Sequence, residues 1–411
     1  MARKPRRKRG EAPGNFVSEW MGHRVYPVIV STAASLADQR AERCPFLTVA
    51  TGEDRKCVKN EKARGVCTIS SISNGPRQDW LACPYRALSS DLVSNAIRRL
   101  FSLPAGADPF ITPAISLKRS PVRSGITARL SAGQPVFVYF DAKVGGELSI
   151  PATDQSPEFA FDVTVVELVS REDHPHIGRF SILEIQTMDF HGSYRKAVHN
   201  LREGLRMHKS AFGPTLSNNQ WWLSEGVEGP NIANVFKRTF YQMMFKFQLG
   251  QHDRCAGCVL AIPKAVWDSW QRHLGAPDLV PEPDGTFSLL TPGRTRLNPC
   301  PAWIYVFDPD PEPNVTPSPI VLNQLIGTDV PSMSHWALTV APAVALSNIG
   351  AEKGFLAALS RRLHTVWPEL IKRSTTDTAA QKGVPLEKLE EASGYVGPSD
   401  DAVKGEEPDK N

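Results

Sequence analysis

The chain has 411 residues, 41% of them hydrophobic and 22% charged, with a formal net charge of only +4. This composition describes a soluble globular protein long enough for a sizeable core and about two packed units. No apolar run approaches the ~20 residues of a membrane span, so a membrane role is excluded from the sequence, and bulk charge alone does not announce nucleic-acid binding.

The chain opens on MARKPRRKRG, which is basic but lacks the apolar stretch of a secretory signal, so a cytoplasmic location is expected. Arg3, Lys4, Arg6, Arg7, Lys8 and Arg9 belong to a flexible arm read over residues 1–25. Such an arm either neutralises phosphates, releasing counterions, or simply solubilises the chain. An ordered start is expected at 26–34, YPVIVSTAA, followed from about 40 to 88 by a polar, cysteine-bearing, loop-rich unit; residues 26–105 are read as one N-terminal metal-binding domain.

Residues 90–101 predict a helix with Leu92, Val93, Ile97, Leu100 and Phe101 on one face. The middle of the chain turns to strands: PVFVYFDAK at 135–143, FDVTVVELV at 161–169 and RFSILEIQT at 179–187, all rich in β-branched and aromatic residues. Helices are expected at about 193–209 and 231–249, the second with an apolar stripe through Ile232, Phe236, Phe240, Met243 and Phe247. A strand–helix pair at 258–274, an apolar strand at 302–308, a proline-rich loop at 309–318 and a last helix near 351–366 follow. Residues 106–372 are read as one catalytic domain of α/β or α+β layered architecture, and 373–411 as a polar, disordered tail.

The informative stretch is 157–190, PEFAFDVTVVELVSREDHPHIGRFSILEIQTMDF. With SREDHPHIGR as the connecting loop, the two strands pair about His174, which sets Asp162 across from Gln186 and Glu184 one diagonal step away. Glu184 and Gln186 share one face, because strand side chains repeat every two residues. Two acids and a third polar group at the open end of a ribbon suit a hard divalent cation such as Mg²⁺, which takes carboxylate, water and phosphate oxygens. A bland reading stands beside this one, since acids are common at strand ends. Against it, Glu184 sits among Ile182, Leu183 and Ile185, where an unpaired charge is costly. A basic helix follows, with Arg195, Lys196, His199, Arg202, Arg206, His208 and Lys209.

An Asp followed after 21 residues by Glu-x-Gln on a hairpin, with a helix behind it, resembles the PD-(D/E)xK nucleases, here with Gln186 where the common pattern has lysine. CPF at 44–46, Cys57, GVC at 65–67, WLACPYRAL at 80–88, the Glu-x-Gln hairpin and NIANVFKRTFYQMMFKFQL together resemble the NotI group of type II restriction endonucleases, over roughly residues 40–275. The resemblance implies Asp162 and Glu184 as Mg²⁺ ligands, Gln186 as the lysine replacement and Glu147 as a further acid, with Glu158 and Glu167 as its rivals. It also implies a bacterial homodimer that cleaves both strands of a GC-rich palindrome in double-stranded DNA. A repair or phage nuclease of the same fold, or a non-cleaving cysteine–metal DNA-binding protein, are the alternatives.

Cys44, Cys57, Cys67 and Cys83 are separated by 12, 9 and 15 residues, without a CxxC knuckle. Spacing alone leaves buried thiols and a metal site equally open; the resemblance implies a structural four-cysteine iron site, and the same ligands accept zinc. Cys255-Ala-Gly-Cys258, with His252 and Cys300 as candidate partners, ranks second. His174 and His176 are read as solvated turn residues, and Trp221–Trp222 as divided between core and surface. No GxxxxGK[ST] loop is present, so no nucleotide cofactor is expected.

Overall fold

The computed structural model describes residues 14–72, 77–88, 90–188, 190–310, 317–347 and 349–368. The cationic residues 3–9, residues 311–316 of the proline-rich loop and the tail from 369 onward lie outside the described residues. The chain divides into two compact units, Met1–Ala345 and Leu346–Asn411. The described part of the second holds a helix, Ile349–Val366.

The N-terminal part of the first unit contains a four-stranded antiparallel sheet of β1 (Phe16–Trp20), the short strand His23–Arg24, β2 (Val66–Ile72) and β3 (Arg77–Leu81), in the order His23–Arg24, β1, β2, β3. Two features differ from the sequence expectation. Strand β1 falls inside the stretch read as a flexible arm, because Phe16, Val17 and Trp20 are fully buried despite the charges that precede them. The cysteine-bearing stretch is likewise more regular than a loop-rich unit, with helices Ala33–Ala41 and Pro45–Thr51 between the strands. The first of these starts on a capping box, in which Thr32 and Ser35 satisfy each other's backbone donors.

The larger sheet is mixed and nine-stranded. Its chain-order members are β4 (Phe110–Pro113), β5 (Val136–Asp141), β6 (Val163–Arg171), β7 (His174–Ile185), β8 (Cys255–Pro263), β9 (Ala302–Pro309) and β10 (Ile320–Thr328), with Val280–Pro281 and Phe287–Leu289 beyond β10. Across the sheet the order is Val280–Pro281, Phe287–Leu289, β10, β9, β8, β7, β6, β5, β4. Strands β7, β8 and β9 run parallel, while β7 pairs antiparallel with β6. Every residue of β8 is buried, as its unbroken run CVLAIP requires of a strand covered on both faces.

Helix α1 (Ser90–Leu100) covers one face, with Leu92, Ile97 and Leu100 against Phe137, Val163, Leu183 and Tyr305. Helix α2 (Arg195–His208) belongs to the smaller sheet, placing Ala197, Val198 and Leu201 against Phe16 and Trp20. Helices α3 (Ile232–Leu249) and α4 (Lys264–His273) cover the other face of the large sheet, where Met243, Phe247, Val266 and Trp270 meet Ile182, Leu260 and Ile304. Full burial of each such side chain contributes about 1.5–3 kcal/mol, so this face is held firmly. The parity of β7 follows: Leu183 and Ile185 look toward α1, Ile182 and Glu184 toward α3.

Among the described residues no helix is long and apolar enough to cross a membrane.

Candidate active site

The hairpin that carries the sequence-predicted acids turns more tightly than its composition suggests. Strands β6 and β7 are joined by Glu172 and Asp173 alone, both left-handed at φ 51° and 60°, as a two-residue turn of the twist-compatible kind requires. His174 pairs with Arg171 and Pro175 with Ser170, so most of the expected loop is strand. Pro175 is tolerated because this end of β7 lies beyond β8, whose pairing starts only at Phe180. A bulge between Ile177 and Phe180 then shifts the register by one residue, leaving Leu183 opposite Val163.

The register corrects the expected pairing. The next step beyond Leu183 and Val163 sets Asp162 opposite Glu184, not opposite Gln186. Two hydrogen bonds fix it: Ile185 N–H donates to Asp162 Oδ2 at 2.9 Å, and Asp162 N–H donates to Glu184 Oε1 at 3.2 Å. The carboxylates thus share one edge of the sheet through each other's backbone. His174 and His176 lie at the far, exposed end of the ribbon.

Asp162, Glu184 and Gln186 line a cavity of about 390 Å³ together with Glu147, Glu158, Thr239, Gln242, Lys246 and the thiol-bearing Cys258. Glu147 therefore stands with the pair, and so does its rival Glu158, whose carboxylate accepts from Ser149 Oγ at 2.6 Å. Glu167 does not: it sits in mid-ribbon, accepting from Arg179 N–H at 3.3 Å across the bulge.

Helix α3 contributes a polar edge to this cavity. Thr239, Gln242 and Lys246 recur at helical spacing beside the apolar stripe through Met243 and Phe247. Thr239 Oγ1 donates to Gln186 Oε1 at 2.7 Å, and Gln186 Nε2 donates to Thr187 O at 2.5 Å. The carboxamide is held in one orientation and keeps one N–H to offer. Lys246 Nζ lies 2.5 Å from Glu184 Oε2, with side chains only 7% and 13% exposed. Burial, and then the charge of Asp162, push the Glu184 carboxyl up to about 8 against the pull of Lys246.

Two further groups join from the α1 side. Asp141, at the end of β5, and Tyr85 share a small adjoining chamber with Glu147 and Asp162. Burial raises the Asp141 carboxyl, with the Asp162 and Glu147 charges adding to the rise, while Lys143 N–H at 2.8 Å and Tyr85 oppose it. Sequence reading passed over Lys246, Thr239, Asp141 and Tyr85. The signal for the first two was the Thr-x-x-Gln-x-x-x-Lys spacing inside an otherwise apolar helix.

Two of the four N-terminal cysteine sulfurs accept a backbone N–H. Cys57 Sγ accepts from Gly65 and Cys67 Sγ from Gly22, both at 3.3 Å. Cys44 and Cys83 each precede a Pro-initiated helical turn and occupy its N-cap position without a side-chain capping hydrogen bond. The four are near enough to influence one another electrostatically; burial above all keeps the thiols of Cys44, Cys67 and Cys83 up, Cys44 at about 12. Cys255 and Cys300 donate their S–H to the carbonyls of Gly257 and Ala302, as Cys67 does to that of Gly65 at 3.4 Å, and Cys258 is fully buried, so the three later cysteines behave as packed thiols. Among the described residues, no three His, Cys, Asp or Glu side chains stand together as a formed metal-binding group.

In the basic helix α2, Lys196, Arg202 and Arg206 are committed to Glu225, Glu61 and Glu203. Trp221 is exposed and Trp222 packs against Gly204, as the divided reading expects.

A scan against protein-family models finds no match, and no curated protein matches this sequence.

Proposed function

We propose that this chain is a metal-dependent phosphodiesterase of the PD-(D/E)xK class. More particularly, the motif resemblance favours a type II restriction endonuclease of the NotI group, a homodimer hydrolysing both strands of a GC-rich palindrome. One observation carries the reading: Asp162 and Glu184, the two acids of the motif, sit opposite each other and line one polar cavity, on a ribbon embedded in a mixed sheet.

The donor set fits a divalent cation. Among the described lining residues four carboxyl groups, Glu147, Glu158, Asp162 and Glu184, converge with a single ammonium, that of Lys246, so the cavity offers an excess of oxygen donors of the kind a hard cation takes. Asp162 and Glu184 would hold Mg²⁺, which when bound polarises the scissile phosphate and acidifies a water. The protein's own groups do the rest. Gln186, clamped by Thr239 and Thr187, directs its remaining N–H at water or a phosphate oxygen, and Glu147 adds negative charge beside Asp162. In the reaction the water oxygen bonds to phosphorus as the P–O3′ bond breaks. The proton that water loses is matched by one that the 3′ oxygen gains, leaving 5′-phosphate and 3′-hydroxyl ends.

The cysteine set fits a structural metal by a separate argument: four sulfurs lie near enough to influence one another electrostatically, and two of them, on Cys57 and Cys67, accept a backbone N–H as thiolate ligands commonly do. Cys44, Cys57, Cys67 and Cys83 would hold iron, by the resemblance, or zinc.

Incubating the protein with high-GC genomic DNA and Mg²⁺ tests the reading. Discrete fragments support a site-specific endonuclease, a smear supports a repair or phage nuclease of the same class, and intact DNA with both Mg²⁺ and Mn²⁺ refutes it.

A further inference from the structure

The Glu-x-Gln motif leaves the cavity without the cation that a lysine at position 186 would bring. Among the described residues lining the cavity, Lys246 carries the one positive charge, against Glu147, Glu158, Asp162 and Glu184. It arrives from helix α3 rather than from the hairpin, and its ammonium touches the motif's own second acid at 2.5 Å. Taking the proposed function as its basis, we infer that Lys246 is the relocated lysine of this site: it supplies, from the helix, the positive charge that Gln186 cannot, setting Glu184 in place and steadying the charge that builds on the attacked phosphate.

Three observations support the assignment over a plain structural ion pair. First, a buried ammonium is expensive, and a contact serving only to pin α3 to the sheet is made more cheaply by apolar residues; the same helix already does that with Met243 and Phe247. Second, Lys246 lies on the cavity edge of α3 in line with Thr239, which clamps Gln186, so one helix face organises both residues of the motif's second strand. Third, Gln186 and Lys246 line the same cavity as Glu184. A lysine reaching from 186 and one reaching from 246 therefore serve the same space. Lysine suits the task because its ammonium is a compact point charge on a long stem.

Exchange of the two positions tests this. Wild type, Lys246→Met, Lys246→Arg and the double variant Gln186→Lys/Lys246→Met are compared as full chains. The readouts are the Mg²⁺-dependent cleavage rate on high-GC genomic DNA and the affinity for the fragmented DNA with Ca²⁺ replacing Mg²⁺, followed by fluorescence anisotropy. Loss of one preorganised charge-stabilising group costs on the order of 10²–10³ in rate. Lys246→Met is expected to lose cleavage by about that factor while its Ca²⁺-supported DNA affinity stays within about threefold, and restoring lysine at 186 is expected to recover at least about tenfold. A Lys246→Met protein that cleaves within about threefold of wild type overturns the assignment, as does a double variant no better than the single one. If Lys246→Met does not fold, as judged by circular dichroism, Lys246→Arg decides. Its fixed charge without lysine's compact head is expected to fold and cut slowly, and wild-type rates from it overturn the inference. Failure of wild type itself to cut refutes the nuclease reading instead, which keeps the two failures apart.

Discussion

Asp162 and Glu184 are locked by a reciprocal exchange across β6 and β7, in which each carboxylate accepts a backbone N–H from the other's strand, at 2.9 Å on Asp162 and 3.2 Å on Glu184. The arrangement uses one lone pair of each acid for position, while the other oxygen of Glu184 meets Lys246 and both side chains still line the cavity. It also makes the site tolerant of isosteric change. Asn at 162 keeps an oxygen for the Ile185 N–H while removing the charge. Asp162→Asn is therefore expected to melt within a few degrees of wild type, yet to lose at least about 100-fold in Mg²⁺-dependent cleavage. Thermal melts beside a cleavage time course check it, and undiminished cleavage removes Asp162 from the site.

How much of this was readable in advance differs from one residue to the next. The two acids were legible because Glu184 interrupts an apolar strand and Asp162 opens another, a pattern that burial makes costly without a purpose. Their register was not, because Pro175 and Gly178 carry the composition of a loop. In the structure Pro175 sits in an exposed strand end and Gly178 in a bulge against Glu167. Lys246 was hidden for a different reason. An apolar stripe accounts for α3 so fully that a lone lysine beside Phe247 reads as a solvated position, and only the placement of α3 over β7 reveals its partner. The layered mixed sheet was legible in its elements, since helices and strands fall close to their expected ranges, but the order of the strands rests on contacts that periodicity does not encode.

The N-terminal cysteines divide into two pairs by their surroundings. Cys44 and Cys83 each head a Cys-Pro turn, whereas Cys57 and Cys67 accept from the glycines 65 and 22. All four belong to one set if a single metal is held, and loss of any one then releases it. Serine at Cys44 or Cys83 is expected to abolish metal content and to lower the melting temperature of the whole chain. Serine at Cys255 or Cys300 leaves the metal in place. Elemental analysis of the purified variants checks this, and full metal content in a Cys44→Ser/Cys83→Ser protein rules the site out.

Beside the cysteines lies an ion pair with almost no access to solvent. Glu19 and Arg86 have side chains 0% and 1% exposed, with Arg86 Nε and Nη2 donating to the carboxylate at 2.8 and 3.1 Å and the Thr68 hydroxyl donating to it as well. Burial alone raises the Glu19 carboxyl, but Arg86 outweighs it and holds the group below its ordinary value. Removing one partner strands the other charge in the interior, at a cost of about 3–5 kcal/mol. Arg86→Met is thus expected to lose about that much in urea unfolding at neutral pH. Because the folded carboxyl is depressed, its contribution is present above the unfolded value of 4.5 and lost as pH falls through the lower folded value. Equal stability of Arg86→Met and wild type at neutral pH contradicts the account.

Asp308 presents the opposite sign. It lies at the end of β9, accepts from Asn323 Nδ2 at 3.0 Å and is raised by burial to about 6 from an ordinary 3.8, despite the nearby Lys264. A carboxyl raised in the folded state binds its proton more tightly there than in the unfolded chain. Its favourable contribution is complete below 3.8 and disappears as pH climbs through 6, so at neutral pH the ionised group opposes folding. Asp308→Asn supplies a neutral side chain of the same shape, still offering an oxygen to Asn323. The variant is expected to melt higher than wild type at pH 7 to 8 and to converge with it near pH 4, where wild type is itself protonated. Paired melts at those two pH values decide the matter: a difference that is the same at both means that the effect comes from packing rather than from the charge.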